Sequence, residues 1–291
     1  MKPRDFFHQG ITGRRQTMLK TSTYEDLTIY KMGRSIGKFV PYFVHCFLLE
    51  DTLIDTGTGF AGSEFLSALQ GKKVNRIVNT HYHEDHTGNN YMLQQKHAAR
   101  IFAHRDSIPN IENPRNVKLK LYQKWIWGYP EGSATEAIGD HLYIGSHPFR
   151  VIPCDGHSAG HICLYEPHKK WLFTGDMFCG IRNIYLRRDE DFNQILLSLE
   201  DLSKLKIDTI FCSLKGVVTG GGNALSEKIK YMKNLKKEIL SLHRQGMPAD
   251  KVRNKLLGKE DMMFYVTGGH FSKQYLINNV LASPYSKSTV E

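Results

Sequence analysis

Short β-branched and aromatic runs dominate the first half of the chain, and helical periodicities take over in the second. Residues 39–49 and 52–55 set Val, Phe and Leu between polar residues, which predicts a hairpin turning at Asp51. Residues 76–79 and 100–103 predict two further strands, with a helix over about 88–97 between them. Four more β runs follow at 142–144, 149–153, 162–165 and 171–174, and residues 209–212 read as the last strand. Phe192, Ile195, Leu196, Leu199, Leu202 and Leu205 recur at helical spacing, and Asp189 or Asp191 can cap that helix. Leu225, Ile229, Met232, Leu235, Ile239 and Leu242 do the same, with Gly246 as the stop. Shorter helices are predicted over 248–257 and 272–281. Residues 114–133, basic and aromatic through Lys118, Lys120, Trp125, Trp127 and Tyr129, predict a helix. It reads equally as a lid over a cleft mouth, its aromatics on substrate, or as a plain packed helix with Trp anchors. No repeat or low-complexity linker divides the chain. One domain over 1–291 is expected, with about 222–291 a helical extension packed on it.

Composition narrows this only a little. With 291 residues, 41% of them hydrophobic and 23% charged, the chain can bury a large core. No stretch approaches the ~20 apolar residues of a membrane helix. The first twenty residues carry Lys2, Arg4, Arg14 and Arg15 but no apolar export segment, so a cytoplasmic protein without a membrane partner is expected. Cys46, Cys154, Cys163, Cys179 and Cys212 are scattered and odd in number, which points to reduced thiols packed as small hydrophobes. The net charge of +10 invites nucleic acid, yet the basic residues are dispersed. Their densest stretch, 228–237, reads as a solvated helix face. The expected partner is a small-molecule substrate, with anionic ones favoured by the charge, and not a nucleic acid.

Chemistry enters at one place. His81, His83, Asp85 and His86 stand within six residues, directly after a predicted strand. Three imidazoles and a carboxylate so close together are first-choice ligands for zinc or a similar divalent ion. A polar, His-rich loop that binds nothing is the competing reading. Neighbouring ligands alone cannot surround an ion and leave room for water, so partners must come from elsewhere. His157, in Gly156-His157-Ser158-Ala159-Gly160-His161, and Asp176, in Thr174-Gly175-Asp176, both follow predicted strands and suit that need.

With Asp55-Thr56-Gly57 added, the order and spacing of these motifs over roughly 25–220 resemble the metallo-β-lactamase superfamily. The resemblance implies an α+β fold, a four-layer αββα sandwich with a metal site along one edge between two sheets. It implies that His81, His83 and His157 hold one metal, and that Asp85 and His86 hold a second with Asp176 bridging. Asp55 would support the site from behind, and His161 would be structural. One departure stands out. Where the family carries a last histidine after the final strand, this chain aligns Leu214, with Lys215 beside it. A leucine cannot ligate, which leaves the second position with Asp85, His86 and Asp176. His270, between Gly269 and Phe271, is a distant substitute.

The expected activity is a metal-dependent hydrolase of a small ester, thioester or lactone, with Asp85 orienting the nucleophile. The metal is zinc, one or two ions, with iron or manganese as alternatives. Lys215, Tyr185 and Arg182 are candidate substrate contacts. The competing readings are a mononuclear iron oxygenase-type member, a degenerate member that binds metal without catalysis, and, last, a nuclease.

Overall fold

The computed structural model describes residues 17–35 and 39–282. The basic stretch at residues 1–16 and the end of the predicted extension, 283–291, lie outside the described residues. The first sheet runs in chain order: β1 (Thr17–Tyr24), β2 (Leu27–Arg34), β3 (Val44–Leu49), β4 (Thr52–Ile54), β5 (Arg76–Val78), β6 (Arg100–Ala103) and β7 (Thr135–Ala137). Its first four strands pair antiparallel and the last three join in parallel. The second sheet is built from β8 (His141–Ile144), β9 (His147–Pro153), β10 (Ile162–Glu166) and β11 (Trp171–Gly175). A short strand, β12 (Leu186–Arg187), leaves it before β13 (Thr209–Cys212) and β14 (Gly216–Thr219) complete its edge. β12 instead pairs with β15 (Phe271–Ser272).

The helices are α1 (Gly62–Ala68), α2 (Glu84–Thr87), α3 (Asn90–His97), α4 (Ile108–Glu112), α5 (Leu121–Ile126), α6 (Phe192–Leu202), α7 (Gly221–Arg244), α8 (Ala249–Leu256), α9 (Met262–Val266) and α10 (Lys273–Ala282). Strands of period two that are buried on both faces read as unbroken apolar runs, and the packing shows both faces in use. Ile162 and Leu164 of β10 join Trp171, Phe173 and Phe211 against Phe47, Leu49 and Ile54 of the first sheet. Between them, Cys163, Tyr165, Leu172, Ile210 and Cys212 point the other way, into a cluster with α6, α7, α8 and α10. On the far side Cys46, Leu48 and Leu53 pack with Phe65 of α1 and Leu93 of α3. The layers are helix, sheet, sheet, helix.

Several expectations need correction. Residues 209–212 are not the last strand: β14 pairs antiparallel outside them, and its four residues, half of them on the rim, carry too little pattern to read. The 114–133 helix reduces to a 3-10 turn at Pro114–Asn116 and the short α5. Pro130 and glycines at 128 and 132 break it, and a Cβ on Gly132 would meet the Glu112 carbonyl at 2.2 Å. β1 and β2 carried no legible signal: β1 is an edge strand of mixed polarity with half-exposed side chains, and β2, though buried, sets Thr28, Lys31 and Gly33 among its apolar residues. The predicted 39–49 strand begins only at Val44, the 88–97 helix begins at Asn90, and β7, α1, α4 and α9 were not predicted; for α6 and α7 pattern and fold agree. Asp191 caps α6 by accepting from the backbone N–H groups of Asn193 and Gln194, and Gly246 follows α7 at φ 87°.

Candidate metal centre

Strand ends converge on one edge of the sandwich. Asp55 follows β4, the 81–86 cluster follows β5, His157 and His161 lie between β9 and β10, Asp176 follows β11, and Ser213 follows β13. Backbone bonds tie these ends together: Thr56 N–H donates to the His86 carbonyl (2.8 Å), and Ile162 N–H to the Thr80 carbonyl (2.8 Å). Two glycines permit the approach. A Cβ on Gly88 would lie 2.3 Å from the Gly59 nitrogen. One on Gly175, at φ +48°, would lie 2.7 Å from Thr80 Oγ1 and 2.8 Å from His161 Nε2.

Two triplets of donor atoms result. The ligand atoms of His81, His83 and His157 lie within 4.8 Å of one another, and so do those of His81, His86 and Asp176. His81 belongs to both. All four histidines are buried; His81 Nε2 has no hydrogen-bond partner, and His86 Nε2 has only the Asp176 carboxylate, at 3.3 Å. An orphaned buried polar atom costs about 1–3 kcal/mol, so one at the centre of a histidine cluster marks a place built for a further group. Burial first, then the neighbouring imidazoles and Arg187, hold His81 and His83 well below the usual histidine range. Both rings are therefore neutral at neutral pH, the state that metal ligation requires. The donor set fits a divalent ion.

Each candidate ligand is held from behind. His157 Nδ1 donates to Glu190 Oε1 (2.7 Å), which turns Nε2 inward to 3.1 Å from His83 Nδ1 and 3.5 Å from Asp176 Oδ2. Asp55, itself at φ 59°, accepts at Oδ1 from Thr80 N–H and at Oδ2 from Thr80 Oγ1 and His86 Nδ1, each at 2.8 Å. That leaves His86 Nε2 facing Asp176 Oδ1 at 3.3 Å. Burial would lower His86, but Asp55, Asp176 and Asp85 outweigh it and raise its affinity for a proton. Burial would likewise raise Asp176, yet His86 and His157 hold it far below the carboxylate range. His161 Nε2 accepts from the Asp176 backbone N–H (3.2 Å), and Ser213 Oγ donates to Asp176 Oδ1.

Asp85 stands apart from both triplets, its Oδ2 at 3.8 Å from His86 Nε2. Burial raises its pKa, and the Tyr42 phenol bonds to it. Leu214 packs its side chain against the helix-side core, so the position of the family's last histidine offers no donor. His270 lies outside the triplets: its Nδ1 is 2.7 Å from the Tyr122 hydroxyl and its Nε2 3.6 Å from Asp189. Of the candidate substrate contacts, Arg182 is exposed, the Tyr185 phenol donates to Asp261, and exposed Lys215 runs alongside Gly180. Sequence reasoning missed Arg187, Glu190 and Tyr42. Arg187 is buried and donates to His83 Nε2 (2.9 Å) and Asp189 (2.9 Å). Glu84 was also unremarked; burial and Asp85 push its carboxyl up to about 7, and it accepts from Gln123 Nε2 (2.8 Å).

His45 on β3 braces the loop that carries Ser213, donating from Nδ1 to the Ser213 carbonyl (2.7 Å). Burial pushes it down to about 4, against the Ser213 bond that pulls upward. The unfolded residue titrates near 6.5, so between those values the unfolded chain binds the extra proton. The stability due to neutral His45 is then fully present above about pH 6.5 and falls as the pH drops toward 4, by roughly 3 kcal/mol in all. Urea titrations across that window should show a shallower pH slope in His45→Gln than in the parent protein; equal slopes would refute the assignment.

A family profile described as the metallo-beta-lactamase superfamily matches residues 40–213, well over half of the chain. The chain belongs to that superfamily. It is 32% identical over 141 residues to a hydroxyacylglutathione hydrolase of Halorhodospira halophila, covering 47% of this chain and 45% of that protein. A hydroxyacylglutathione hydrolase of Rhizobium etli is 31% identical over 107 residues, 37% of this chain and 35% of its own. The chain thus matches less than half the length of these curated relatives. Among solved structures, a metallo-β-lactamase family protein of Thermus thermophilus superposes with a TM-score of 0.62 at 19% identity, over 87% of this chain and 92% of that one. The likeness confirms the αββα sandwich.

Proposed function

We propose that the protein is a metal-dependent hydrolase acting on a thioester, ester or lactone bond. The observation that carries this reading is the pair of donor triplets that share His81, whose buried Nε2 has no hydrogen-bond partner. The relatives named hydroxyacylglutathione hydrolase support a thioester first among the substrates. His81, His83 and His157 would hold the ion, zinc by the preference of three imidazoles, with Asp176 and His86 on its other side. When bound, such an ion supplies Lewis acidity and a source of hydroxide at neutral pH. The remaining work falls to the chain. Glu190 takes the Nδ1–H of His157 and Asp55 that of His86, which holds both rings with Nε2 turned toward the centre. Asp85, buried and with its proton affinity raised, would orient the nucleophile and accept its proton at the carboxylate.

The test is hydrolysis of a panel of hydroxyacyl thioesters, simple esters and lactones, before and after chelation. Activity lost to chelator and restored by zinc supports the reading; activity indifferent to chelator sinks it. Leu214 favours a single-ion centre, because the second position keeps only Asp85, His86 and Asp176. About one ion per chain is expected by elemental analysis. One tightly held iron after anaerobic purification would instead favour the oxygenase reading.

A further inference from the structure

Among the described residues, seven large hydrophobic side chains are more than half exposed, and five of them sit on α5 and α9: Leu121, Trp125, Met262, Tyr265 and Val266. Two helices of six and five residues thus carry most of the molecule's protruding apolar surface. They adjoin. The Tyr122 hydroxyl of α5 bonds His270, just beyond α9, at 2.7 Å, and their rings meet at 5.9 Å. They also border the metal centre, because His270 reaches Asp189, Asp189 holds Arg187, and Arg187 holds His83.

We propose that this paired surface docks on an anionic lipid bilayer and holds the neighbouring metal centre close to the membrane surface. Charge complementarity selects that occupant. Arg115, Lys118, Lys120 and Lys124 are exposed around Leu121 and Trp125, and no acidic residue lies between Glu112 and Glu131. Next to α9 the acids are already engaged: Glu260 with Ser272 and the start of α10, Asp261 with Tyr185 and Lys273. A second copy docking face to face would press two basic stretches together. Leu, Met, Trp and Tyr beside lysines form the pattern of a protein that lies on a bilayer, with the apolar groups below the headgroups and the ammonium groups among the phosphates. Such docking needs no membrane-spanning helix, and among the described residues no helix is long and apolar enough to be one. It departs from the sequence expectation of no membrane partner, which considered spanning segments alone. The inference does not depend on the hydrolase reading.

The test is sedimentation of the full chain with vesicles of phosphatidylcholine, with and without phosphatidylglycerol. Binding to the anionic vesicles is expected, and little to phosphatidylcholine alone. Leu121→Ser with Trp125→Ser, and separately Met262→Ser with Tyr265→Ser, should each weaken it at least about tenfold. Lys118→Gln with Lys120→Gln and Lys124→Gln should weaken it on the order of a hundredfold. Thermal unfolding and hydrolysis of a soluble thioester should be unchanged in all three, which separates docking from folding and catalysis. A parent protein that ignores anionic vesicles, or variants that bind as the parent does, would overturn the proposal. So would self-association in sedimentation velocity that the same variants abolish.

Discussion

Replacing His81 with alanine is expected to strip the protein of metal and to lower hydrolysis by about a thousandfold or more. His81 is fully buried and is the one histidine common to both donor triplets, so its loss opens either ion position. Alanine leaves a polar hollow in which the remaining imidazoles have no shared centre. Elemental analysis and the thioester assay should fall together; metal retained at the parent level with activity lost would assign His81 a different part. A graded comparison sharpens the result. Glu190→Gln keeps His157 but weakens the acceptor of its Nδ1–H, and should cost about 10- to 100-fold in metal affinity rather than abolish binding. Zinc competition with a chromophoric chelator measures that difference. If the two variants lose metal equally, the supporting role given to Glu190 is wrong.

The largest effect on stability is expected at Asp55. Its two oxygens accept from Thr80 N–H, Thr80 Oγ1 and His86 Nδ1, and the residue is almost wholly buried. Asp55→Ala would orphan three donors at once and leave His86, which holds a raised proton affinity, beside an apolar gap. Breaking a buried hydrogen-bonded charge pair costs about 3–5 kcal/mol, and the positive φ adds a smaller penalty for alanine. Urea unfolding of the metal-free protein should show a lower midpoint with an unchanged slope. Asp55→Asn should fall between, since it tolerates the left-handed backbone and keeps one acceptor but turns a donor toward Thr80 or His86. A shift below about 1 kcal/mol for the alanine variant would mean that the network is not bearing on the fold.

How much of this was readable in the chain depended on distance along it. The histidines at 81, 83 and 86 share one turn after one strand, so their spacing alone signalled ligation. The inter-sheet strands were legible because burial on both faces leaves them unbroken apolar runs; β1, with half-exposed side chains at the sheet edge, and the four-residue β14 were not. The 114–133 segment misled because its aromatic and basic residues suit a helix, while its prolines and glycines allow only a short one.

The supports of the site were silent for a different reason. Glu190 meets His157 across 33 residues of sequence, and Arg187 meets His83 across 104. A carboxylate or a guanidinium on a loop has no period and no spacing that announces its partner, so only the closing of the two sheets brings them together. The same holds for the exposed apolar faces of α5 and α9, which are two ordinary short segments until Tyr122 and His270 meet. What the sequence determined by itself was local: which segments carry apolar faces, and which residues carry metal-binding chemistry. The tertiary structure decided which nitrogen of His157 and of His86 turns inward, because that choice belongs to the carboxylate behind each ring.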